Sequence, residues 1–212
     1  MLPKIDINTL DNTTSVDKRN LVENLLRSTN RQGVENVISF LTNSDFYVAP
    51  ASTKYHSNYR EGLVNHSLVV LELMRQYRDL WILTKPELAT TLTDESLILC
   101  AVLHDVCKCG LYSEQPKMVK DDRGDWTSKM VYVYNDTFPI GHGEKSVIML
   151  QSIGMPLSFD EMLAIRYHMA FWGDLGTEAK ASLHAAIEMS PLVTLLQIAD
   201  YTASNIFETI KK

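Results

Sequence analysis

The chain has 212 residues, 45% of them apolar and 22% charged, which is enough to bury one sizeable core in a single globular domain. With 20 basic and 26 acidic residues the net charge is −6, so the broad electrostatic pull of a protein that coats nucleic-acid backbones is excluded. The apolar run at 97–103 falls far short of the roughly 20 residues of a membrane span, residues 1–20 carry no signal-peptide core, and Cys100, Cys107 and Cys109 read as reduced thiols of a cytoplasmic protein.

In chain order, residues 15–41 carry helical spacing in Leu21, Leu25, Val34, Val37, Ile38 and Leu41, and the spacing predicts a helical cap over 1–50. An irregular stretch over 50–62 precedes a helix over 63–81, where Leu63, His66, Val70, Leu73, Met74 and Tyr77 share one side and His66 faces inward. Residues 94–107 predict a helix with an acidic first turn and an all-apolar run over 97–103, ended by His104-Asp105. A turn at 121–125 and the β-branched and aromatic run at 130–134 predict a hairpin over 118–134. Helices resume over 141–153, over 158–172 behind the capping-box pair Ser158 and Glu161, and over 177–189. Ser190-Pro191 launches a last helix over 192–207 with Asp200 in its apolar body. No repeat or linker divides the chain, so the expectation is one α-helical domain, 1–212, carrying one hairpin.

Asp105 and Asp200 inside apolar helices need a partner, because burying an unpaired carboxylate is very costly. Lys and Arg are absent from 98–106 and 192–206, so neither helix supplies a counter-charge at its own centre. A divalent cation would serve, since such ions accept imidazole nitrogen and carboxylate oxygen. His66, His104, His142 and His168 with the two aspartates make six candidate ligands spread over different helices.

The order His66, then adjacent His104-Asp105, then Asp200 resembles the H…HD…D signature of the HD-domain metal-dependent phosphohydrolase superfamily. Gly62-Leu63-Val64-Asn65-His66-Ser67 is similar to the family's GLxxHS/T opening, and Leu103-His104-Asp105-Val106-Cys107-Lys108 to its LHDxGK segment. The resemblance covers about residues 55–205 and implies an all-α, HD-domain-like helical bundle with one small β-hairpin insertion, leaving 1–50 outside as an N-terminal helical cap. It also implies one or two divalent ions (Mn, Mg, Fe, Co or Ni). The first would be held by His66, His104, Asp105 and Asp200, and the second by Asp105 as a bridge with His142 and His168. Such ions activate water for phosphoester hydrolysis, and Asp105 and Lys108 are the catalytic expectations. Lys108, one turn after His104 if that helix persists, is the leading substrate-side cation, with Lys145, Arg166, His56 and Trp172 as further substrate-side candidates.

Each residue also has an ordinary reading. His142 and His168 could cap helix ends, Lys108 could complement a helix dipole, His56 could be a solvated loop residue, and Phe171 and Trp172 could be core. His184 reads as helix surface, and Cys107 and Cys109 lack a second thiol pair for a zinc site. Two positions depart from the resemblance: Cys107 replaces the glycine usual before the lysine, and Glu61 stands where the exonuclease-like members often have a second glycine. The HDxxED continuation of guanosine-tetraphosphate hydrolases is missing, as is the HHExxDGxGYP-type segment of cyclic-di-GMP phosphodiesterases. The expected activity is therefore hydrolysis of a phosphoester or phosphoanhydride in a nucleotide or similar small substrate, with no membrane or extended nucleic-acid partner; a homodimer is compatible with the size. The alternatives are a 3′-to-5′ exonuclease on short single-stranded RNA or DNA, an HD-fold di-iron oxygenase, and a binding module without turnover.

Overall fold

A computed structural model describes residues 2–170 and 177–208 of the chain. After a short 3₁₀ turn at Ile7–Asn12, helix α1 (Ser15–Ser28) starts where the Thr14 hydroxyl accepts the Asp17 N–H, and α2 (Val34–Asn43) follows. The spacing read as one helical stretch over 15–41 is thus two helices, broken where Asn30 and Gly33 turn left-handed. Val22, Leu26, Val37 and Leu41 from this pair enter the same core as the helices that follow.

Helix α3 (Gly62–Thr84) buries every residue from Gly62 to Met74. Helix α4 (Asp94–Leu103), capped by Thr93, is apolar all round and fully buried from Leu97 onward, the central rod that its composition predicts. It ends at Leu103, not 107. His104 is the C-cap, Asp105 leaves the helical region (φ −105°, ψ 17°), and a 3₁₀ turn covers Val106–Lys108.

Strands β1 (Tyr112–Lys120) and β2 (Trp126–Tyr134) pair antiparallel from Tyr112↔Tyr134 to Lys120↔Trp126. The hairpin therefore begins six residues before the expected 118. No residue of either strand is buried, so no alternation of apolar and polar positions marked the start of β1 in the sequence.

Helix α5 (His142–Ser152) and α6 (Phe159–Tyr167) follow, the latter behind a complete capping box of Ser158 and Glu161. Trp172, one of the substrate-side candidates, and its neighbour Phe171 lie outside the described residues. Helix α7 (Thr177–Met189) and α8 (Pro191–Thr202) complete the bundle, and α8 opens into a π-helical turn over Ala203–Phe207. Helix α3 packs against α4 and α8, and α6 packs against α8 and α5, so the N-terminal part of α3, the ends of α4 and α6, α8 and the start of α5 meet. Among the described residues no single helix is long and apolar enough to cross a membrane.

Candidate metal centre

His66 reaches this meeting point from the second turn of α3, His104 and Asp105 from the end of α4, His142 from the first residue of α5, His168 from the end of α6 and Asp200 from α8. All six side chains predicted from sequence are brought together. His66 and His104 are fully buried, and His168 and Asp105 nearly so. The cluster is most open at His142, whose side chain is 31% exposed against 13% for Asp200.

The carboxylate of Asp105 sits between two groups of imidazoles. Its Oδ2 lies 3.6 Å from His66 Nε2 and 3.4 Å from His104 Nε2. Its Oδ1 lies 2.7 Å from His142 Nε2 and 3.5 Å from His168 Nε2. On the first side, His66 Nε2 is also 3.2 Å from His104 Nε2 and 3.3 Å from Asp200 Oδ1. Two ligands each about 2.1 Å from one ion, at right or tetrahedral angles, stand about 3.0–3.4 Å apart. His66, His104 and Asp105 therefore have the spacing of ligands around a shared cation, and His104, His168 and Asp200 form a second such group. His142, hydrogen-bonded directly to Asp105, is the tightest member of the second side.

The orientation of the imidazoles follows from local backbone chemistry. His104 and His168 both occupy helix C-caps with the same φ and ψ, −57° and −34°. Each places Nδ1 on the carbonyl three residues back, Ala101 at 3.0 Å and Ile165 at 2.6 Å. Helix ends leave such carbonyls without intrahelical partners. Donation from Nδ1 fills one and turns the Nε2 lone pair inward, the tautomer a metal needs. His168 Nε2 is buried with no hydrogen-bond partner, an uncommon and costly state for a polar atom that a coordinated cation relieves.

The charges agree. Burial opposes ionisation of Asp105, yet Lys108 and His104 outweigh it and hold the carboxyl well below the ordinary range. Asp200 is also depressed, against its burial, by hydrogen bonding to and the charge of His66. His66 is pushed up to about 10, against its own burial, by Glu208 and Asp200.

Lys108, just beyond the span 98–106 that lacks Lys and Arg, supplies Asp105 with a protein counter-charge. Its buried ammonium lies 2.6 Å from Asp105 Oδ2. The helix does not persist to 107, and the 3₁₀ turn brings the lysine back over the aspartate three residues before it. Lys145 and Arg166 are engaged elsewhere: Lys145 pairs with Asp136, and Arg166 pairs with Glu144 at 2.8 Å while lying over the Tyr167 ring. His56 is half-buried, its ring 4.9 Å from that of His66, and burial first, then the charges of His66 and Lys108, lower its pKa to about 4. This differs from a solvated loop residue, and its Nε2 has no hydrogen-bond partner. His184 is exposed on α7.

Three neighbours were not singled out from the sequence as parts of a site. Glu208 contacts His66 Nδ1 through both carboxylate oxygens, at 3.1 and 3.0 Å. The Ser57 hydroxyl donates to Glu208 at 2.9 Å. The Cys107 thiol, at the position of the missing glycine, lies 3.5 Å from His142 Nδ1. Nothing local marks Glu208, a single carboxylate just past the predicted end of the last helix. The family model for the HD domain matches residues 63–205, the segment that supplies all six clustered residues. No curated protein and no solved structure matches the chain.

Proposed function

The chain belongs to the HD-domain family of metal-dependent phosphohydrolases, and from that premise we propose that it hydrolyses a phosphoester or phosphoanhydride bond in a nucleotide or similar small phosphorylated substrate. The observation that carries this reading is the buried, unpartnered Nε2 of His168 facing the same carboxylate that His66, His104 and His142 surround. On this reading His66, His104, Asp105 and Asp200 hold one divalent ion, and Asp105, His142 and His168 hold a second. Such ions supply Lewis acidity at phosphoryl oxygens and make water a stronger acid.

The protein's own groups do the rest. Asp105 offers one oxygen to each side and fixes the spacing between them. The carbonyls of Ala101 and Ile165 hold the His104 and His168 rings in place. Lys108 keeps a buried positive charge beside Asp105, where it offsets charge on a phosphoryl group. The substrate side is that of His142, the most exposed of the clustered residues. We favour Lys108 as the substrate-side cation because its own partner, Asp105, belongs to the cluster, whereas Lys145 and Arg166 are paired with Asp136 and Glu144 outside it.

The test is elemental analysis of protein purified without added metal, then a panel of nucleotides, phosphomonoesters and short oligonucleotides with manganese, magnesium, cobalt, nickel or iron. The expected result is bound divalent metal and release of phosphate or pyrophosphate from a small substrate. Asp105→Ala is expected to lose metal uptake and turnover while circular dichroism retains the helical signal. Full metal uptake and activity in that variant refutes the assignment. Degradation of oligonucleotides alone makes the chain an exonuclease, and oxygen consumption by the iron-loaded protein moves it to oxygenase chemistry.

A further inference from the structure

We propose that Glu208 is a positioning residue that aims His66 at the metal centre, so that the segment after α8, beyond the HD-matched span, is part of the metal site. The inference rests on the reading of His66 as a ligand. Each histidine of the centre needs an acceptor on the nitrogen turned away from the ion if the other is to present its lone pair. His104 and His168 find one in their own helices because both stand at C-termini, where carbonyls are free. His66 stands five residues into a 23-residue helix, where the carbonyls one turn back are taken by the helical ladder. Its acceptor has to come from another part of the chain.

Glu208 supplies it. Both of its oxygens lie at hydrogen-bond distance from His66 Nδ1, its side chain is 5% exposed, and the Ser57 hydroxyl donates to its Oε2. The backbone brings it there through the π-helical turn, which closes with the Glu208 N–H on the Ala203 carbonyl at 3.0 Å. That wider turn inserts a residue into the helical register and lets one segment address both ring nitrogens of His66, Asp200 at Nε2 and Glu208 at Nδ1. Ser57 and Glu208 both lie outside 63–205, the span that the family model matches. A carboxylate also does more than a carbonyl: its charge makes the imidazole a more basic ligand.

The experiment measures manganese binding at 25 °C by calorimetry for the wild-type chain, Glu208→Ala and Glu208→Gln, with melting temperatures of the metal-free proteins alongside. Glu208→Ala is expected to weaken the tightest site by about 10–100-fold, the usual effect of removing such a support. Glu208→Gln keeps the shape and an oxygen acceptor but not the charge, and is expected to weaken the site by about threefold or more. A Glu208→Gln affinity indistinguishable from wild type overturns the proposal even if the alanine variant fails to fold. So does a lowered melting temperature with unchanged manganese affinity, which is what a purely structural role produces. A wild-type chain that takes up no manganese, cobalt or iron overturns the proposal together with the proposed function, whereas uptake unaffected by either variant overturns this inference alone.

Discussion

Glu61 adopts φ +70° immediately before α3, a left-handed conformation that costs a side-chain-bearing residue about 1 kcal/mol and glycine nothing. The structure also shows what compensates for that strain. Lys18, 3% exposed, places its ammonium 2.9 Å from the Glu61 carboxylate. Glu61→Gly is expected to relieve the backbone yet lower stability by about 1–3 kcal/mol, because the buried lysine is left without its partner. Urea denaturation checks the sign, and a higher midpoint for the variant would show that strain outweighs the ion pair. The neighbouring Gly62 has no such latitude: a Cβ there would stand 2.0 Å from the Ser57 carbonyl oxygen. The loop that anchors Glu208 through the Ser57 side chain is thus packed against the start of the helix that carries His66.

Among the elements, the meeting of α5 with α6 decides whether the second group of ligands can form. Gly143 follows His142, and a Cβ on it would stand 2.2 Å from the Arg166 carbonyl oxygen and 2.6 Å from that of Ile165, the acceptor of His168 Nδ1. Gly143→Ala is therefore expected to push α5 away from α6, at a cost of about 1–3 kcal/mol for overpacking. It should also weaken metal uptake by separating His142 from His168, as read by melting temperature and metal titration. A second tie joins the α1–α2 connection to α6. Arg31 donates to both oxygens of the fully buried Glu161, at 2.9 and 2.8 Å, and Ser96 and the Ser158 N–H complete the carboxylate's shell. Burial raises the Glu161 pKa, but these partners outweigh it and hold it below 4.5. Its contribution to stability is thus full above the unfolded value near 4.5 and fades as pH falls through the lower folded value. Arg31→Met is expected to cost about 3 kcal/mol at pH 7 by leaving a buried carboxylate unpaired. The deficit should shrink below pH 4.5, where protonation removes that charge, and urea melts at pH 7 and pH 4 measure both values.

On the scale of the whole molecule, the helices of the matched span and the two N-terminal helices share one core, whereas the hairpin contributes no buried residue to it. A two-stranded hairpin has little stability of its own. This one springs from the chain just after Lys108, with the Leu111 N–H on the Lys108 carbonyl and the Asn135 N–H on the Leu111 carbonyl. Replacing residues 116–130 by a two-residue turn between the paired Gln115 and Val131 is expected to leave the melting temperature and metal affinity within error of wild type. Any change should appear in the KM for substrate, since the root of the hairpin adjoins Lys108. A large loss of stability would show that the hairpin supports the bundle.

Much of the fold and the six clustered residues was legible in the sequence because the signals are local or depend on residue identity. Capping pairs, the apolar run of α4 and the inward side of α3 are written within a few turns of helix, and the order His66, His104-Asp105, Asp200 marks carboxylates and imidazoles where apolar surroundings make them costly. What the sequence could not supply depends on distance through space. The early end of α4, after which the chain turns Lys108 back onto Asp105, is announced by no glycine or proline over 98–109. The link between His66 and Glu208 joins residues 142 positions apart. Periodicity tells which way a side chain faces on its own helix, but only the packing of α3 against α8 and the turn beyond it determines which groups a buried imidazole meets on its two nitrogens.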